Sequence, residues 1–290
     1  MLLHNVLAAL FAIQSRQIAR RFRDATIPLN IVVYGIIAIS GLVYGMIEGL
    51  SDVSLGAFTN FAGFFVFAGV CFAAANMLSY VVFQYVDAAV ASLLATFNVI
   101  TTVILATVLI NEGLTILQLV GAAVILASMQ LVLSIHMSEA RHNKLVLAVV
   151  LSILASVFCA VAVTTEKYLL DRVNLSTYLV FGWGFQFIGV VLVSLLLIRV
   201  TAAKDYLLLG NAKFWRMALP AGMTRMLGGL LFILSLRLAD NLSLVSAFSG
   251  LKVVLAALLG MYVLKEREFM ARKLKAAMMA MIGVAIMLWT

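Results

Sequence analysis

Asp87-Ala-Ala-Val-Ala-Ser-Leu-Leu-Ala-Thr-Phe-Asn-Val (87–99) opens one long apolar run of this chain, and Asp240-Asn-Leu-Ser-Leu-Val-Ser-Ala-Phe-Ser-Gly-Leu-Lys-Val (240–253) opens another. Overlaid with one residue of slack, they pair Ser92 with Ser246, Asn98 with Lys252 and, further on, Glu112 with Glu266. Gly121 and Ser128 then fall opposite Ala276 and Gly283 in the last apolar run of each half. The chain therefore reads as a duplication, residues 1–137 and 144–290, joined by the polar stretch Ser138-Glu-Ala-Arg-His-Asn-Lys.

The composition around these stretches decides what is duplicated. Of 290 residues, 65% are apolar and 11% charged, whereas soluble domains run near ~45–50% and ~25%. Mean hydropathy is +1.16. A bilayer span takes about 20 apolar residues, so ten spans with short loops use up the chain and leave no room for a sizeable soluble domain. The polar breaks delimit ten apolar runs: Leu2–Arg20, Ile27–Gly49, Phe58–Tyr85, Ala88–Asn111, Thr115–Met137, Leu145–Glu166, Thr177–Arg199, Trp215–Leu238, Leu242–Lys265 and Ala271–Thr290. They are continuously apolar rather than alternating in ten-residue pieces, which argues against a membrane barrel. Pro28 starts the second run, where its missing N–H costs nothing, and Pro220 should kink the eighth. Gly41, Gly45 and Gly49 form a small-residue ladder suited to close helix packing. The expected fold is an all-α polytopic membrane protein of ten transmembrane helices in two five-helix repeats. Because five is odd, the second repeat enters the membrane from the opposite side, an inverted-topology architecture that places a substrate site near the midplane between the halves.

The run from Ala91 to Gly121, a small-residue helix ending at Asn111-Glu112-Gly113 and followed by a glycine-spaced fifth helix, resembles EamA-type members of the drug/metabolite transporter superfamily. Val245 to Gly283 resembles a second copy. The family often has Pro near Asn98 and Lys252, and Gly just before each glutamate where this chain has Asn111 and Lys265. Lys252 on the ninth helix is similar to the nucleotide-sugar and sugar-phosphate branches. The resemblance implies a secondary transporter working by alternating access, in the plasma (inner) membrane, with both termini on one side. It puts both termini inside. The basic residues, 15 in odd-numbered loops against 3 in even-numbered ones, put them outside by the positive-inside rule.

An ionisable group at bilayer depth is costly and faces a cavity or a partner. Arg225 and Lys252 lie near the middle of their runs. They read either as a cationic patch for an anionic substrate group or as a pair satisfied inside the protein. Asn76, Tyr80 and Gln84 are four residues apart and share one helix face, which should turn inward as cavity lining or as interhelical hydrogen-bonding glue. Asn98, with Ser92, faces Ser246, Ser249 and Lys252, and Gln14 is a candidate on the first run, as is Gln186 on the seventh. The expected substrate site is thus Lys252, Arg225, Asn76, Tyr80, Gln84, Asn98 and Gln14. Thr164, Thr165 and Glu166 read as the interfacial end of the sixth run, and Glu112 and Glu266 as structural helix ends.

All 12 acidic residues read as falling at span ends or in loops, which disfavours a proton-coupled exporter of cationic drugs. His4, His136 and His142 are scattered without metal spacing, so neither an enzyme nor a cofactor is expected. Cys71 and Cys159 sit alone in apolar runs as small hydrophobes. The net charge of +8 lies in clusters between apolar runs, a pattern of loop polarity and headgroup contact rather than of nucleic-acid binding. The partners read from the sequence are a small-molecule substrate and the lipid bilayer, with a homodimer left open. The substrate is expected to be an anionic or zwitterionic metabolite, with export of amino acids or amphiphilic drug-like compounds as the alternative.

Overall fold

The structure is a computed structural model that describes residues 1–22, 25–48, 53–110, 115–133, 139–198, 203–239, 242–265 and 270–289. Glu112, Glu266, Asp240 and Gly49 lie outside the described residues. The described residues form helices and contain no strand. In chain order they are α1 (Leu2–Arg21), α2 (Thr26–Glu48), α3 (Leu55–Tyr85), α4 (Ala88–Leu94), α5 (Phe97–Ile110), α6 (Ile116–Leu133) and α7 (Glu139–Leu170). After them come α8 (Leu175–Thr177), a π-helical turn (Tyr178–Gly182), α9 (Trp183–Ile198), a 3-10 segment (Ala203–Gly210), α10 (Ala212–Leu238), α11 (Leu242–Ser249), α12 (Lys252–Val263) and α13 (Met270–Leu288).

Local chemistry places the ends. Ser54 accepts the Ala57 N–H at the start of α3, Asn174 accepts the Thr177 N–H at α8, and Asn211 accepts the Lys213 N–H at α10, each satisfying a donor that a helix start orphans. Lys265, just past α12, has φ 56°, the left-handed backbone that commonly ends a helix and that glycine adopts without cost. This accounts for the glycine that the resembled family carries there. The fourth apolar run is broken between α4 and α5 at Ala95-Thr96, and the ninth between α11 and α12 at Gly250-Leu251. Both breaks come about eight residues in.

Among the described residues, six helices are long and apolar enough to cross a membrane: Thr26–Glu48, Leu55–Tyr85, Val90–Val108, Asn143–Leu170, Leu175–Leu196 and Ala212–Leu238. The remaining four runs are the helices α1, α6, α11–α12 and α13. Arg16, Arg20 and Arg21 in α1 and Arg272, Lys273 and Lys275 in α13 dilute their apolar windows, and the Gly250 break divides the ninth run. Large apolar side chains at four-residue spacing point outward, as Ile39, Val43 and Ile47 do on α2 and Leu219, Met223 and Leu227 on α10, forming stripes that suit lipid. The chain is an integral membrane protein.

The bundle is built from a small set of contacts. α6 lies against α13, and α2 against α9. α3 packs on α7 and α9, while α10 packs on α1 and α2. α5 lies on α7 and α12 on α1, and α4 meets α12 as α5 meets α11. Gly41 and Gly45 carry α2 onto the π-helical turn, Gly41 against the Leu179 carbonyl and Gly45 against Val180. Their ladder is a packing device. Pro220 sits inside α10, which runs on through it.

Candidate functional site

Two cavities lie inside the bundle. One, of about 100 Å³, is lined by Tyr34 of α2, Glu166 of α7, Trp183 and Gln186 of α9, and Ser246 and Ser249 of α11. The other, of about 160 Å³, is lined by Ala8 and Ala12 of α1, Asn76 and Ser79 of α3, Ser92 of α4, and Ser152 and Ser156 of α7. Asn98, Cys159, Arg225 and Lys252 line both, and so form the waist where the two spaces meet.

The two broken runs build this waist. Lys252 is the first residue of α12 and Asn98 the second of α5. Two helix starts therefore border the waist, and the turns before them keep the Asn98, Val99 and Val253 N–H groups paired with the Ala95, Thr96 and Gly250 carbonyls. The break before α12 is closed from α1, where Asn5 Nδ2 donates to the Phe248 carbonyl at 3.0 Å. One residue earlier, His4 Nδ1 donates to the Gly228 carbonyl of α10 at 2.8 Å. Arg225 stands 5.6 Å from the Phe11 ring centroid, a cation–π distance, within electrostatic reach of Tyr34 and Glu166. Lys252 is within such reach of Cys159 and Arg225.

Of the residues expected from sequence, Lys252, Arg225 and Asn98 meet at the waist and Asn76 lines the second cavity, with its Nδ2 donating to the Phe72 carbonyl at 2.7 Å. The other three do not reach either central cavity. Tyr80 lines a small separate pocket between α1, α2 and α3. Gln84 Nε2 donates to Thr26 Oγ1 at 2.9 Å, tying α3 to α2. Gln14 lines a pocket beside Arg216 and Pro220, where α1 meets α10. Shared periodicity puts Asn76 and Gln84 on one face, but eight residues are about 12 Å of helix, so they sit at different depths.

Glu166 corrects the sequence reading. It lies inside α7, which continues to Leu170, and is 2% exposed. It lines the first cavity and accepts a hydrogen bond from the Tyr178 hydroxyl. Ser54 N–H donates to Thr177 Oγ1 at 2.9 Å, so the start of α3 and the α8 segment fold over this end of α7 and turn an apparent interface into interior. Gln186, the candidate on the seventh run, lines the same cavity together with Trp183.

Charge pairs hold the two ends of the bundle. Where α3 ends and α4 and α13 begin, Lys273 Nζ lies 2.6 Å from Asp87 Oδ2 and Arg16 Nη2 3.6 Å from Asp87 Oδ1, and Arg16 also donates to the Phe83 carbonyl. Burial opposes ionisation of Asp87. The Lys273 hydrogen bond and ammonium, with Arg16 and Arg20, outweigh it and hold the carboxyl below the ordinary range. At the opposite end, where α7 and α10 finish, Lys167 Nζ lies 2.8 Å from Asp171 Oδ1 and donates to the Ala239 carbonyl at 3.0 Å.

Residues 1–134 match the EamA-like transporter family. No curated protein matches the chain. Among solved structures, 22 chains match. One, a crystal structure, superposes over 97% of this chain and 95% of that one with a TM-score of 0.65 at 16% identity, a likeness of fold. The resemblance to the drug/metabolite transporter superfamily is carried by residues 1–134.

Proposed function

We propose that this chain, EamA-like over residues 1–134, is a ten-helix secondary transporter of a small anionic or zwitterionic metabolite. It works by alternating access between two inverted five-helix repeats, residues 1–137 and 144–290, in the plasma (inner) membrane. The pattern of helix contacts supports the repeat. Exchanging each first-half helix for its second-half counterpart turns the α3–α7 contact into α10–α1, α3–α9 into α10–α2, α5–α7 into α12–α1 and α4–α12 into α11–α5, all of which exist. α6–α13 and α2–α9 map onto themselves. Ser92 and Ser246, paired in sequence, line different cavities, as inverted copies require.

The observation that carries the substrate reading is the waist. Lys252 heads α12, where the helix dipole disfavours a cation, and Arg225 stands beside it with no carboxylate within ion-pair distance among the described residues. Two cations that line both cavities form a site for an anionic group. Asn98 and Asn76 supply hydrogen bonds beside it. Lys252→Ala is expected to abolish uptake into proteoliposomes while the protein still inserts and purifies normally. Unchanged uptake kinetics in that variant would sink the assignment. The aromatic wall of Trp183, Phe72 and Phe232 favours a second reading, export of amphiphilic compounds. Competition by neutral amphiphiles but not by anions would select it.

A further inference from the structure

We propose that Glu166 is a second pole of the same site, so that the first cavity takes a zwitterion whose positive group pairs with this carboxylate while its negative group sits at Lys252 and Arg225. The inference rests on the anion-site reading above and narrows it. Glu166 is 2% exposed, yet lines the cavity together with both cations. Away from the waist, the buried Lys273 pairs with Asp87 and the buried Lys167 with Asp171. Glu166 has only the neutral Tyr178 hydroxyl, and among the described residues no basic group lies within 4.0 Å of it. A carboxylate enclosed at bilayer depth, facing a cavity and with no basic group in ion-pair contact, is a place for a cation.

The spacing of the poles narrows the solute further. Glu166 is seven residues along α7 from Cys159, which lines the waist with Lys252, roughly 10 Å of helix at 1.5 Å per residue. Charges on one carbon sit too close together to engage both ends, whereas a chain of several atoms between them spans the gap. Val163, Phe72, Phe232 and Ile233 line the same cavity and suit methylene groups. The π-helical turn that begins at Tyr178 holds the hydroxyl against Glu166 at the far end.

The test is thermal unfolding of the purified full-length protein in detergent with glycine, 4-aminobutyrate, 6-aminohexanoate, and hexanoate as the anion lacking an ammonium group. 6-Aminohexanoate is expected to stabilise the wild type at about a tenfold lower concentration than hexanoate or glycine, as one charge-assisted contact allows. Glu166→Gln is expected to equalise 6-aminohexanoate and hexanoate while leaving the hexanoate effect in place. If that variant does not fold, Glu166→Asp keeps the charge on a shorter arm and should retain the preference at weaker affinity. A preference that survives in Glu166→Gln, a Glu166→Asp variant indifferent to the ammonium, or a wild type that 6-aminohexanoate does not stabilise each overturn the inference. Loss of the hexanoate effect in Lys252→Ala is read separately and bears on the anion site alone.

Discussion

Asp87 shows how a single residue sets the chain's response to acid. Its carboxyl is held below the ordinary range by Lys273, Arg16 and Arg20 against the opposing effect of burial. A depressed folded-state value stabilises the fold at pH values above the unfolded value and loses that stabilisation as pH falls through the folded one. Melting temperature is therefore expected to fall on acidification below about pH 4, near the free-aspartate value, and Asp87→Asn should flatten that limb. At neutral pH the same variant leaves Lys273, 3% exposed at its side chain, without its anion, at a cost of roughly 3 kcal/mol. A wild-type and a variant profile that run parallel through the acid range would refute this. At this scale Arg225 and Lys252 were legible in the sequence because a cation in the middle of an apolar run has no bland neighbours. Glu166 was not, because Thr164-Thr165-Glu166-Lys167 has the composition of a run end, and only the folding of α3 and α8 over it makes it interior.

Among the elements, helix crossings carry the most exacting geometry. α6 and α13 touch backbone to backbone at Gly121 and Gly283, where a Cβ on Gly283 would stand 2.7 Å from the Gly121 carbonyl oxygen and 2.8 Å from Ile125 Cγ1. α3 and α9 meet in the same way, with a Cβ on Gly189 falling 2.6 Å from the Gly69 carbonyl oxygen. Gly283→Ala is expected to cost about 1–3 kcal/mol by overpacking. Gly184→Ala, whose added Cβ meets nothing within 4 Å, should leave the melting temperature unchanged or slightly raised. Equal effects of the two substitutions would show that the α6–α13 crossing is not tight. The apolar runs were readable from composition, although the sixth was expected to end at Glu166 and its helix continues to Leu170. The breaks at Ala95-Thr96 and Gly250-Leu251 were not, since nothing in the local sequence of the fourth run demands one. Asn5 closes the second break from a helix more than two hundred residues away.

For the whole molecule, the two cavities on either side of one waist are the features that alternating access needs. In a background with Cys71 and Cys159 replaced, Ser92→Cys and Ser246→Cys are expected to react with a membrane-impermeant thiol reagent from opposite sides of the membrane. Labelling of both from the same side in every condition would rule out inverted repeats around the waist. The amino-acid sequence by itself determined that the chain is apolar enough for a bilayer and helical, and it set Arg225 and Lys252 in the middle of apolar runs, because hydropathy and periodicity are properties of order along the chain. The tertiary structure decided which polar residues share a level. It brought Asn98 and Lys252 to one waist, drew Glu166 in beside them, and left Gln14, Tyr80 and Gln84 outside. Helical period fixes the direction in which a side chain points, whereas its depth and neighbours depend on how distant helices pack.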